Sequence, residues 1–244
     1  MSRKSKRNQP NPVRQEPPAP SAPPASRLNR KALFIGSAIA LVLAFLVGTL
    51  VYKSEKVQVS QQAAAGNPAA LERFGSPTAG KADAKVHIVE FFDPACETCA
   101  VFYPHVKGIM AANPDRIRLS VRHVPFHRGS DQVVRMLEAA RNQGKYWETL
   151  EAVLASQDRW VINHVAQVEG VWPAIRSVGL DLDRLRTEMN APEIGRRIEQ
   201  DLADAQALGV TKTPEFFVNG RPMPRFGLEE LQGLVREELR KSYP

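Results

Sequence analysis

At 244 residues, with 43% hydrophobic and 24% charged residues, the chain suits one globular domain with appendages, or two small domains. Its net charge of +7 invites a nucleic-acid reading, yet residues 1–31 hold eight Lys or Arg against the single acid Glu16, leaving 25 basic and 25 acidic residues from totals of 33 and 26. The tail accounts for the whole surplus, which excludes a nucleic-acid partner.

The tail, SRKSKRNQPNPVRQEPPAPSAPPAS, has almost no large apolar residues and is expected to be disordered and cytoplasmic. Ala32 to Tyr52 runs 21 residues without a charge, enough at about 1.5 Å per residue to cross a hydrocarbon core of about 30 Å. This predicts a transmembrane helix in the lipid bilayer. The basic flank holds its N-terminal side in the cytoplasm and places everything after Lys53 outside, in the periplasm if the host has an envelope. Cleavage after QQAAAG is the lesser alternative, because a signal peptide has a shorter leader and a shorter apolar run. Gly36, Ala40, Ala44 and Gly48 recur every fourth residue, so a homodimer through this helix is the alternative to a single anchor. Residues 53–67 read as a polar tether.

The outward domain is expected over residues 68–244. KVHIVEFF, 85–92, is nearly continuous in apolar, β-branched and aromatic residues, as in a strand buried on both faces. A helix is predicted from Cys96 to about Ala112 and a second, parallel strand over Ile117 to Val124. A helical block follows over about 130–209. Ser130 is expected to cap its first helix, which stops at Gly144; a second covers Tyr146 to Ser156, and a third ends at Gly179. Asp181 caps Leu182 to Asn190, and Pro192 opens a last helix that closes at Gly209. EFFV at 215–218, the Asn219-Gly220 turn and a run near Pro224 to Phe226 predict a hairpin. An amphipathic helix, Leu228 to Lys241, closes the chain. This order describes an α/β fold, a thioredoxin-like sheet with an inserted helical subdomain, preceded by one transmembrane helix.

The chain's two cysteines, Cys96 and Cys99, stand where the first strong strand gives way to a helix. Free N–H groups and the positive end of the helix dipole there stabilise a thiolate on Cys96. Cys99, one turn on, is placed to resolve a mixed disulfide. Pro104 is expected to kink this helix. A zinc site needs further ligands; no second CxxC exists, and of the five histidines, His123 and His127 are separated by Pro125. A loop ending in Thr213-Pro214 just before EFFV is expected to face the cysteines with a cis peptide bond. Glu90 shares a strand face with Val86, Ile88 and Phe92. It is either paired with a lysine such as Lys85 or Lys212, or a proton acceptor for Cys99.

VEFFDPACETC, VPFHRGSD, QGKYWETL and GVTKTPEFFVNG together resemble the DsbA-like branch of the thioredoxin superfamily over about residues 68–244. The resemblance implies a thiol–disulfide oxidoreductase acting on exported cysteine-containing proteins and recycled by a membrane redox partner. Its catalytic residues would be Cys96 (attacking), Cys99 (resolving), Glu90 (buried acid), and Thr213 and Pro214 (cis-proline pair). No cofactor beyond the redox-active Cys96–Cys99 disulfide and no metal are implied. The dipeptide is Glu97-Thr98, whereas strongly oxidising members carry a histidine there, so a less oxidising couple than DsbA is expected unless solvent screens Glu97. The same pair can run in reverse, as a reductase of envelope proteins or metalloprotein precursors. A Cu(I)-binding thiol module with Met110 or Met223 as third ligand is the competing class.

Overall fold

The structure, a computed structural model, describes residues 30–244. The expected tail lies outside these residues, apart from its last two. The chain divides into two units, residues 1–48 and Thr49–Pro244.

Helix α1, Arg30–Gly66, contains the one helix among the described residues that is long and apolar enough to cross a membrane, Phe34–Gly66. Phe34, Leu41, Phe45 and Leu50 are each about two-thirds exposed or more, a dense set of unburied apolar side chains that supports a membrane anchor. The expected tether at 53–67 is instead helical almost to its end. KSEKVQVSQQAAA contains no Gly or Pro to break the helix, which stops only at Gly66 ahead of Asn67-Pro68.

The domain follows as β1 (Thr78–Gly80), β2 (Val86–Phe92), α2 (Glu97–Ala111), β3 (Ile117–His123), α3 (Ser130–Asn142), α4 (Tyr146–Ala155), α5 (Gln157–Trp160), β4 (Val161–Ile162), β5 (Val165–Ala166), α6 (Val171–Ile175), α7 (Leu182–Glu188), α8 (Pro192–Ala207), β6 (Glu215–Val218), β7 (Arg221–Pro222) and α9 (Leu228–Ser242). The main sheet runs β1-β3-β2-β6-β7, with β2 and β3 parallel and the other pairs antiparallel. Strand β1 has no signal in the sequence, being three residues on the sheet edge. Its Gly80, at φ 87°, is required, because a Cβ there would stand 2.3 Å from the Ile117 carbonyl oxygen. The hairpin's second strand is Arg221–Pro222 rather than the run at Pro224–Phe226. Asn219 and Gly220, at φ 48° and 79°, make so tight a turn that pairing starts at once, and Pro222 and Pro224 supply no N–H to extend it.

Strand β2 is buried at every residue because it serves two cores. Val86, Ile88 and Phe92 pack with α2 residues Cys99, Phe102 and Val106 and α9 residues Leu231, Leu234 and Val235. Val89 and Phe91 face a second cluster with Leu71, Ala205, Leu208, Val210, Phe217 and, from the last turns of α1, Ala64. Ser60 of α1 donates its hydroxyl to the Leu208 carbonyl at 3.2 Å.

The helical insertion lies where the sequence places it, with a small β4–β5 hairpin inside it. Asp181 caps α7 by accepting from the Arg184 N–H at 3.0 Å. The cap expected at Ser130 is not made; Gly129 takes the N-cap position, and the Ser130 hydroxyl turns instead to Asp93. One buried cation escapes sequence reading. Arg122, 0% exposed, donates to Asp201 at 2.8 Å, to Asp204 at 2.5 Å and to the Ala70 carbonyl, and lies 5.6 Å from the centre of the Phe91 ring. Removing one partner strands the others, so Arg122→Leu is expected to cost about 3–5 kcal/mol in chemical denaturation; a loss below about 1 kcal/mol would show the network to be dispensable.

Candidate active site

The turn between β2 and α2 is built around Asp93, which is fully buried. Its carboxylate accepts from the Ala95 N–H at 2.9 Å, from the His127 N–H at 2.8 Å, from His127 Nδ1 at 2.7 Å and from the Ser130 hydroxyl. Its carbonyl accepts from the Cys96 N–H at 3.0 Å. From the insertion, buried Gln157 donates to the carbonyls of Pro94 at 2.8 Å and Cys96 at 3.2 Å. Sequence reading missed both roles. An Asp-Pro turn is a local hint for Asp93, but nothing local points to a glutamine 61 residues beyond Cys96.

Cys96 sits at the N-cap of α2, with Cys99 one turn below, both buried thiols. The Cys99 thiol hydrogen-bonds to Cys96 and is the largest influence on it. Partial burial works against ionisation, but the Thr213 hydroxyl and the Cys99 and Thr98 amides add to the pull, and the Cys96 pKa falls to about 6. Neither amide makes a formal cap bond to the sulfur, so both act as dipoles. As a thiol, Cys96 donates to the Thr213 carbonyl at 3.3 Å, a bond that favours the protonated form and opposes the shift. Cys99 moves the other way. Burial, its bond to Cys96 and the Glu90 charge raise its pKa well above the ordinary thiol value. The two sulfurs are thus divided into a nucleophile or leaving group and a proton-holding partner.

The Thr213–Pro214 peptide bond is cis and faces Cys96 through the Thr213 carbonyl. Glu90 is 1% exposed, and its Oε1 has no hydrogen-bond partner. The lysine pairing is corrected: Lys85 Nζ binds the Ser242 carbonyl at 3.3 Å, and Lys212 lies over the Phe226 ring. Burial, with the Cys96 charge second, lifts the Glu90 pKa to about 8. The alternating pleat puts Glu90 with Val86, Ile88 and Phe92 on the β2 face that packs against α2, opposite in parity to Lys85. Pro104 lies within α2, which continues through it to Ala111.

Glu97 is exposed, with His164 Nδ1 at 3.1 Å from its carboxylate. His123 is buried against Phe92 and Tyr146, while His127 belongs to the Asp93 hub. Of the proposed soft ligands, Met223 is buried in the main core and Met110 packs toward Gly80, in a groove with Tyr103 and Trp147.

A dithiol at a helix N-terminus, opposite a cis-proline loop on a β-α-β/β-hairpin-α sheet, defines the thioredoxin class. A family model described as Thioredoxin matches residues 73–237, and the chain belongs to that family. A thioredoxin-like oxidoreductase from Silicibacter pomeroyi DSS-3 is 34% identical with a TM-score of 0.63, covering 72% of this chain and 98% of that one. The thiol-disulfide exchange protein alpha-DsbA2 from Wolbachia pipientis shares the fold at 18% identity and a TM-score of 0.59, covering 75% and 97%. A curated Na(+)/H(+) antiporter NhaA from Herminiimonas arsenicoxydans is 33% identical over 200 residues, 80% of this chain and 31% of that protein. The chain therefore spans less than a third of the length of that relative.

Proposed function

We propose that this protein catalyses thiol–disulfide exchange on exported proteins from a membrane anchor, acting as an oxidase through Cys96 and Cys99. The observation that carries the reading is the opposite displacement of the two thiols, Cys96 down to about 6 and Cys99 well up. A substrate thiolate attacks Cys96 of the disulfide and Cys99 leaves, taking a proton as it becomes a thiol. Glu90, which holds its proton up to a pH of about 8, is the donor placed nearest in chemistry, and the acceptor when the step reverses. A second substrate thiolate then attacks the first substrate sulfur and expels Cys96 as a thiolate. A low-pKa leaving group favours this direction. The substrate now holds the disulfide, Cys96 and Cys99 hold its two electrons, and a membrane redox partner must remove them. The Thr213 carbonyl beside Cys96 offers an acceptor to an extended substrate backbone. The basic tail would keep the N-terminus in the cytoplasm and the domain outside, with dimerisation through the small-residue stripe of α1 a further arrangement for the anchor.

Lowering Cys96 from 9.0 to about 6 stabilises the reduced form at pH 7 by about 1.4 kcal/mol, or about 30 mV. That is far less than a thiol of pKa about 3.5 provides in DsbA. The couple is expected to lie between about −270 mV, the thioredoxin value, and about −120 mV, the DsbA value. Equilibration of the full chain with glutathione buffers, read by thiol alkylation, measures it. A value at or below that of thioredoxin would overturn the oxidase direction in favour of a reductase. Failure to form a reversible disulfide would overturn the enzyme itself and leave the cysteines as a ligand pair.

A further inference from the structure

Three side chains the exchange reaction does not use converge next to Cys96. Glu97 projects from the first turn of α2, His127 from the loop after β3, and His164 from the turn of the β4–β5 hairpin in the insertion. One ligand atom from each lies within 4.8 Å of the others. We propose that Glu97, His127 and His164 form a binding site for a divalent transition-metal ion of the Zn2+ class, which ties the insertion hairpin to the first turn of the redox helix.

Two imidazoles and one carboxylate are a donor set that borderline metal ions accept, with the fourth position left to water. Four ligands at about 2.1 Å from a tetrahedral ion stand roughly 3.4 Å apart. His164 Nδ1 is already 3.1 Å and 3.4 Å from the two Glu97 oxygens, so this pair needs little adjustment. The His127 and His164 rings lie 6.4 Å apart between centroids, and with His127 held by Asp93 the closing movement falls to the exposed side chains of His164 and Glu97.

The surroundings of His127 also fit a metal ligand. Its Nδ1 is fixed at 2.7 Å to the carboxylate of buried Asp93, which leaves Nε2 as its coordinating nitrogen. Carboxylate support of the non-coordinating nitrogen is the arrangement that orients metal-bound histidines and raises their basicity. His164 is presented by two successive residues at positive φ, Asn163 at 51° and His164 at 61°. A two-residue β-hairpin turn requires positive φ at both central positions, and Asn and His are among the side chains that adopt it, so the β4–β5 turn itself holds His164 beside Glu97. The site goes beyond the exchange reading and departs from the expectation of no metal.

The test uses the full chain in detergent with Cys96 and Cys99 oxidised, so that thiolates are not available as ligands. Zn2+ is titrated in competition with a chromogenic chelator, and Co2+ is added separately for its visible spectrum. One equivalent of Zn2+ is expected to bind, with a tetrahedral Co2+ band. His164→Ala, at an exposed turn, should weaken binding by about tenfold or more, and His127→Gln should do likewise. His105→Ala, on the exposed face of α2, should bind as wild type does. The absence of Zn2+ binding to the oxidised chain would overturn the proposal, as would equal affinity in wild type and His164→Ala. Because the disulfide is closed throughout, these outcomes stand apart from success or failure of the exchange reaction.

Discussion

Cys96→Ala is expected to reduce disulfide exchange to the uncatalysed background, while Cys99→Ala accumulates mixed disulfides between Cys96 and substrate. The asymmetry follows from the two microenvironments. At pH 7 a thiol of pKa about 6 is about nine-tenths thiolate, so reduced wild type treated briefly with iodoacetamide should carry one adduct, on Cys96. The alkylation rate should fall as pH drops through about 6. Cys99, fully buried and displaced upward, stays unmodified on that timescale. Without Cys99 nothing inside the protein can expel the substrate from Cys96, and the covalent complex persists on a non-reducing gel. Equal labelling of both cysteines at pH 7 would remove the basis for assigning their roles.

Glu90→Gln is expected to stabilise the protein and slow it. The folded pKa of Glu90, about 8, lies above its ordinary value of 4.5, so between those limits the folded chain binds a proton that the unfolded chain has lost. Wild-type stability therefore falls as pH rises from about 4.5 to about 8, and the loss is complete above that. At pH 7 the linkage amounts to about 3 kcal/mol, or roughly 6–12 °C in Tm for a domain of this size. Glutamine has no proton to lose, so the variant's stability should lose this pH dependence. These figures belong to the reduced form; in the oxidised form the Cys96 charge is absent and burial acts alone, so the fall with pH and the gain from Glu90→Gln are expected in the same direction but smaller. If the carboxyl serves as proton donor and acceptor for Cys99, the same variant resolves mixed disulfides more slowly. A gain in Tm with unchanged exchange rates across pH would make Glu90 a buried destabilising group and nothing more.

The parts legible in the sequence are those whose signal is local. VHIVEFF announces a strand buried on both faces, CETC a thiol pair at a helix start, and TPEFFVNG a proline ahead of a hairpin. What the sequence hid is held together across long separations. Gln157 reaches back to Pro94 and Cys96, Arg122 reaches forward to Asp201 and Asp204, and His164 meets Glu97 from another subdomain. None of these pairs shares a helical or strand period, so no window of adjacent residues contains them. The lysine expected beside Glu90 failed for a related reason: strand neighbours in sequence alternate faces, and the side that holds Glu90 is sealed by α2. The polar stretch after the apolar run, expected as a tether, is helical to Gly66, because it contains no Gly or Pro before that residue.

The docking of α1 onto the second core also decides where this molecule tolerates being cut. Ala64, 3% exposed, and the Ser60 bond to Leu208 make the end of that helix a lid on the cluster of Phe91, Phe217 and Leu208. A secreted or recombinant version that begins at Pro68 opens with this apolar notch uncovered, on the sheet face opposite the cysteines. A version that begins at Val57 carries its own plug. The same holds for a protease working on the stretch between Gln61 and Gly66: cleavage there separates the helix from the domain and leaves the apolar cluster of Phe91, Phe217 and Leu208 without its cover.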